Sequence, residues 1–123
     1  KKISVSSTEN LKDSLLATGF FPDHLEALED QLVVFSKLIK KCRGVRRAGA
    51  AAYDLCMVAK GTFDGFWEPN LKPWDVAAGQ LLVEEAGGKV TDIHGGEVTS
   101  KSTSVLATNG KVHDQMLKLL ENV

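Results

Sequence analysis

The chain has 123 residues with 43% hydrophobic and 25% charged side chains, which suffices for one α/β layer structure with a real core and excludes several domains. A formal net charge of -1 argues against a general nucleic-acid surface or a polybasic membrane patch. Two cysteines, Cys42 and Cys56, are too few and too irregular for a disulfide framework or a zinc site. With no run of roughly 20 apolar residues and no signal-peptide order, the expectation is a soluble, cytoplasmic protein.

The alternation of Ile3 and Val5 with polar neighbours over Lys1 to Ser6 predicts a strand. Between Leu11 and Gly19, Ser14-Leu15-Leu16-Ala17-Thr18 predicts a second, buried strand closed by Gly19 and Pro22. From about Asp23 to Lys41, Leu25, Leu28, Leu32, Phe35, Leu38 and Ile39 recur at spacings of three and four, an amphipathic helix that Asp23 can cap. His24, in its first turn, has no second ligand at helical spacing and reads as an exposed polar residue. The basic run Lys37, Lys40, Lys41, Arg43, Arg46 and Arg47 reads as a solvated helix end with cations near its negative pole.

Gly44-Val45-Arg46-Arg47 predicts a short strand, and Gly49 to Ala59 a small-residue helix with Gly61 as its C-cap. Small residues at that helix start either permit close packing or leave room for a ligand beside free N–H groups. Thr62 to Glu68 predicts a strand whose aromatics, Phe63, Phe66 and Trp67, pack in the core. Glu68 at its end is either a solvent-exposed acid or a group facing the same cleft as Asp75.

A helix from about Trp74 to Glu85 stops at Gly87-Gly88. Gly79 inside it costs about 1 kcal/mol relative to Ala, tolerable where another element approaches closely. Asp75 in its opening turn is held ionised by free N–H groups and the positive helix pole, as a cap or as a ligand. Lys89 to Ile93 and Thr103 to Thr108 predict two further strands, and Val112 to Val123 a closing helix with Met116, Leu117, Leu119 and Leu120 apolar. His94 and His113 have no partners at ligand spacing and read as surface residues. The order ββαβαβαββα predicts a mixed sheet with helices on both faces.

The string Trp74-Asp75-Val76-Ala77-Ala78-Gly79-Gln80, running on to Glu85-Ala86-Gly87-Gly88 and preceded by Lys72-Pro73 and Glu68, resembles the C-terminal signature of the inositol monophosphatase family of Mg²⁺-dependent phosphomonoesterases. Arg46-Arg47-Ala48-Gly49-Ala50-Ala51-Ala52 is similar to that family's Arg-x-x-Gly-Ser/Thr-Ala-Ala segment, and Leu16-Ala17-Thr18-Gly19-Phe20 to its LxTGF strand. The resemblance covers the full chain but only the second half of a family member. It implies that residues 1–123 are the C-terminal domain of a layered α/β/α/β/α enzyme whose N-terminal, metal-binding half is absent, so that the chain begins mid-sheet.

It also implies a chemistry: Mg²⁺-dependent hydrolysis of a phosphate monoester, foremost inositol 1-phosphate. In that picture Asp75 holds the metal and faces the substrate, while Glu68 and the Gly49-Ala50-Ala51 backbone orient the phosphorylated polyol; Lys72 is an exposed lysine or a helper of phosphate charge. Ala50 departs from the usual Ser or Thr, so a hydroxyl is missing there. The other ligands, a Glu and an Asp-x-x-Asp-Gly-Thr motif, have no counterpart here, since Asp64-Gly65 is followed by Phe66. Because Mg²⁺ needs several converging oxygens, the isolated chain is expected to be inactive until completed by its N-terminal half. The complete enzyme is expected to be a homodimer. Two alternatives stay open: a non-catalytic binding module, or a related phosphatase acting on histidinol phosphate, fructose bisphosphate or a phosphonucleotide.

Overall fold

The computed structural model describes residues 2–19, 25–69, 71 and 76–121, with residues 25–27 described by backbone only. The expected strand at the start of the chain is not one. Residues 2–10 carry no ladder; Val5 N–H donates to Ala86 O at 3.1 Å, and the rest of the hold comes from side chains. Asp64 accepts from the Ser6 hydroxyl at 2.5 Å and from Leu15 N–H at 2.7 Å, and Asn109 Nδ2 donates to Ser6 Oγ and Thr8 O. Alternation alone does not make a strand where a buried carboxylate and an amide, not a neighbouring backbone, receive the segment.

After a short 3₁₀ turn, Leu11–Asp13, the order is β1 (Leu15–Thr18), α1 (Leu25–Ile39), β2 (Gly44–Arg46), α2 (Ala51–Lys60), β3 (Gly65–Glu68), α3 (Ala77–Glu85), β4 (Lys89–Thr91), β5 (Val105–Thr108) and α4 (His113–Leu119). This is the predicted order without its first strand. The sheet runs β2-β1-β3-β5-β4. β1 pairs in parallel with both β2 and β3, whereas β5 is antiparallel to β3 and β4.

Successive strand residues point to opposite faces, and both faces are covered. Ala17, Phe66, Val105 and Ala107 join Leu55, Val58 and Ala59 of α2 and Val83 of α3 in one core. Leu16, Trp67 and Leu106 join Val34 and Leu38 of α1 and Met116 of α4 in the other. The result is the expected mixed sheet with helices on both faces, as three layers: α2 and α3, sheet, α1 and α4.

Several boundaries move for local reasons. Thr62 and Phe63 donate back to Met57 O at the end of α2, which delays β3 to Gly65. Gly49 has φ +91°, outside helical space, so α2 begins at Ala51. Gly61, at φ 86°, is the predicted C-cap, its N–H returning to Met57 O and Val58 O. A Cβ on Gly79 would lie 2.5 Å from Leu55 Cδ1, so this glycine is where α2 and α3 touch, the close approach that its position inside a helix required.

His113 corrects the expectation of a surface residue: it is fully buried, between β4, β5 and α4. Its Nε2 lies 2.9 Å from Thr91 Oγ1 and its Nδ1 2.9 Å from Thr108 Oγ1. Thr91 spends its proton on Asp92 O, so it accepts from Nε2–H; Nδ1 then accepts from the Thr108 hydroxyl, which itself receives Gly110 N–H. A lone histidine without ligand spacing is satisfied in the core by two threonine hydroxyls that sequence spacing does not connect. His94 is exposed, as expected, and Phe63, Phe66 and Trp67 are buried.

Candidate functional site

The three parallel strands β2, β1 and β3 end on the same edge of the sheet, and the segments leaving them carry most of the residues singled out by sequence. Beyond β2 lie Gly49 and Ala50, beyond β1 lies Gly19, and β3 ends at Glu68 with α3 following. In open α/β sheets, ligands occupy the crevice outside the carboxyl ends of parallel strands. No helix among the described residues is long and apolar enough to cross a membrane.

Glu68 is not a solvent-exposed acid; it is 6% exposed. β1 and β3 run side by side with Thr18 opposite Trp67, which places Gly19 next to Glu68. A Cβ built on Gly19 would overlap Glu68 Oε1, so the glycine that ends β1 makes the space the carboxylate occupies. Sequence reasoning identifies Gly19 only as a strand terminator.

Gly49 meets nothing within 4 Å of a built Cβ and lies exposed with Ala50, while Ala51 is partly buried. Ala50 is the N-cap, with extended backbone (φ -144°, ψ 118°) and no capping side chain. Its carbonyl accepts Asp54 N–H at 3.0 Å, so the N–H groups of the residues between them have no intrahelical acceptor. Where a Ser or Thr would cap, Ala leaves those donors to solvent or ligand.

Asp54 is a residue that sequence reasoning misses. It sits in the first turn of α2, 1% exposed, with Oδ1 lacking any hydrogen-bond partner. Burial pushes its carboxyl up to about 6. In sequence it looks like an ordinary first-turn acid; its burial is not announced by spacing.

Asp75, the expected metal and substrate residue, lies outside the described residues, as do Lys72, Trp74, Asp23 and His24. Val76 and the start of α3, directly after Asp75, are described: Val76 is buried, and Gln80 N–H returns to its carbonyl at 2.7 Å. Among the described residues no three His, Cys, Asp or Glu side chains gather into a metal cage. The basic residues from Lys37 to Arg47 are all exposed, and Cys42 and Cys56 are free and partly buried.

The family model of the inositol monophosphatase family matches residues 1–123. The chain belongs to this family. It is 47% identical over 118 residues to "Phosphatase IMPL1, chloroplastic" of Arabidopsis thaliana, covering 96% of this chain and 32% of that protein. It is also 47% identical over 120 residues to "Putative Nus factor SuhB" of Neisseria meningitidis, covering 98% of the chain and 46% of that protein. The solved inositol monophosphatase of Anabaena superposes with a TM-score of 0.91 at 45% identity, over 98% of this chain and 48% of the other. The chain thus spans between about a third and a half of the length of these relatives.

Proposed function

We propose that this chain is the C-terminal, substrate-facing part of a phosphatase of the inositol monophosphatase kind, completed by an N-terminal half that brings most of the metal ligands. One observation carries the reading: Glu68, the uncapped start of α2 at Gly49-Ala50-Ala51, and the start of α3 all open on the carboxyl ends of three adjacent parallel strands. Membership of the family supports a phosphorylated substrate.

Within this reading the residues divide the work. The free N–H groups at Ala51 and beyond donate to oxygens of the substrate, favoured by the positive pole of α2. Glu68, braced over Gly19, accepts hydrogen bonds from hydroxyls of a polyol and so orients the ester. Asp75 would be a ligand of the metal. When bound, Mg²⁺ supplies charge neutralisation on the phosphoryl group. The described residues by themselves do not fit such an ion, since no three of their carboxylate, imidazole or thiol groups converge; the remaining ligands belong to the other half. Inositol 1-phosphate is the proposed substrate, Glu68 being the group suited to its hydroxyls.

The experiment is hydrolysis of inositol 1-phosphate by the whole protein, with Mg²⁺ and after its removal, for the parent and two variants. Asp75→Asn is expected to lower kcat at least about a hundredfold, and Glu68→Gln to raise KM for inositol 1-phosphate while changing turnover of an aryl phosphate little. Equal losses on both esters for Glu68→Gln would remove its role in polyol recognition. Full turnover by Asp75→Asn would remove the metal assignment.

A further inference from the structure

A glycine at a strand end ordinarily supplies a left-handed backbone that other residues resist. Gly49 and Gly61 are of that kind, with φ of +91° and +86°. Gly19 is not: its φ lies outside the left-handed region, so no such turn calls for a glycine there. What excludes a side chain is a single group. The three atoms nearest to a Cβ built at position 19 all belong to Glu68: Oε1, which it would overlap, Cδ at 2.9 Å and Cγ at 3.5 Å.

We infer, building on the polyol-recognition role proposed above for Glu68, that Gly19 is a positioning residue of the phosphatase. By carrying no side chain it lets Glu68 keep its carboxylate where a substrate hydroxyl is met, and it thereby sets the preference for polyol phosphates over esters that lack such hydroxyls.

Neither backbone is free to step aside. β1 is held on both sides, by β2 and by β3. Thr18 faces Trp67 in register, and its buried hydroxyl donates to Trp67 O at 2.8 Å, one residue before Gly19 and Glu68. Glu68 is fixed from the other side, opposite Val105 of β5. A methyl group at position 19 therefore displaces the far end of a side chain and leaves the ladder in place. Misplacing an orienting group by about 1 Å can cost up to roughly a hundredfold in rate.

Other crowded glycines meet different neighbours. A Cβ on Gly65 would lie 2.9 Å from Met116 Sδ and 3.1 Å from Leu16 Cδ2, and one on Gly79 would press on Leu55, so substitution there disturbs core packing and falls on stability. At Gly19 the displaced group is a carboxylate, 6% exposed, at the end of a parallel strand. The consequence falls on what that carboxylate recognises.

The test compares inositol 1-phosphate with an aryl phosphate on the whole protein with Mg²⁺, the preference being the ratio of their kcat/KM values. Gly19→Ala is expected to raise KM for inositol 1-phosphate about tenfold, while kcat on both esters and KM for the aryl ester change less than about twofold. In the Glu68→Gln background the same substitution should add nothing, because the carboxylate it displaces is gone. Introduced into Glu68→Asp, whose carboxylate is one methylene shorter, it should change the preference less than about twofold.

An equal loss on both esters, whether through misfolding or through a general disturbance of the site, would overturn the inference. So would an unchanged preference in Gly19→Ala, or an effect as large in the Glu68→Gln or Glu68→Asp background as in the parent. Loss of the preference in Glu68→Gln but not in Gly19→Ala would remove the role of Gly19 alone. No loss in Glu68→Gln would remove that of Glu68, and with it that of Gly19.

Discussion

Asp54 and His113 are both buried, yet they sit in opposite circumstances. His113 lies beyond the ladder of β4 and β5 with both ring nitrogens bonded to threonine hydroxyls, and burial, with help from Lys89, pushes it down to about 4. Asp54 lies in the first turn of α2, at the edge where the parallel strands end, and one of its oxygens has no partner. The difference separates a polar group that fastens the fold from one that the fold leaves unfinished. Unsatisfied buried groups are costly.

The largest expected effect comes from breaking the satisfied side of this comparison. His113→Leu keeps the volume but strips Thr108 of its acceptor and Thr91 of its donor; it should cost roughly 2–4 kcal/mol in urea unfolding. A loss within the error of the measurement would mean that the two hydroxyls are satisfied by water instead.

The pH dependence sharpens the same contrast. An imidazole lowered from 6.5 to about 4 binds fewer protons folded than unfolded, so its stabilisation is complete above 6.5 and drains away as the pH falls toward 4. A carboxyl raised from 3.8 to about 6 binds more protons folded than unfolded, so its penalty is complete above 6 and fades as the pH falls toward 3.8. Over the shared window the two oppose each other. Asp54→Asn should therefore leave a protein that loses up to roughly 3 kcal/mol between near-neutral pH and the lower end of the window, at about 1.4 kcal/mol for each pH unit that separates the folded from the unfolded imidazole. His113→Leu should instead gain stability on acidification over that range. Parallel curves for the two variants would show that neither group dominates the titration. At pH 7, Asp54→Asn should add about 1 kcal/mol, since an amide is cheaper to bury than an unpaired charge.

Most of the element order was legible because strands such as Leu15–Thr18 and Gly65–Glu68 are apolar runs with clear punctuation, and because Gly61 and Gly87-Gly88 stop their helices. Gly49, Ala50 and Glu68 were singled out by their motif, and the fold brings them to one edge of the sheet. What escaped were relations made only by packing. Gly19 yields to Glu68, Asp54 is buried with one oxygen unpaired, and His113 is bonded to hydroxyls 5 and 22 residues away. The first segment escaped for a related reason: its partners are the side chains of Asp64 and Asn109, which no periodicity announces.

Helix α1 shows the same limit and yields the smallest predicted effect. Of the recurring apolar positions Leu25, Leu28, Leu32, Phe35, Leu38 and Ile39, Leu38 meets the core, and beside it the sheet receives Gln31 and Val34, which lie outside the pattern. Leu32 and Ile39 remain 49% and 42% exposed, whereas Leu38 is fully buried. Periodicity fixes that a helix has an apolar side without fixing which of two adjacent stripes meets the core, and here Gln31 lies inside with both polar atoms of its amide unpaired. Val34→Ala should accordingly cost about 1–3 kcal/mol through the lost methyl groups and the void they leave, while Leu32→Ser should stay within about 0.5 kcal/mol. Both values come from urea unfolding at several protein concentrations. A larger loss at Leu32 that grows with protein concentration would mean that this outer stripe is covered by a second copy in solution, which would turn the spare apolar side of α1 from a misread core into an interface.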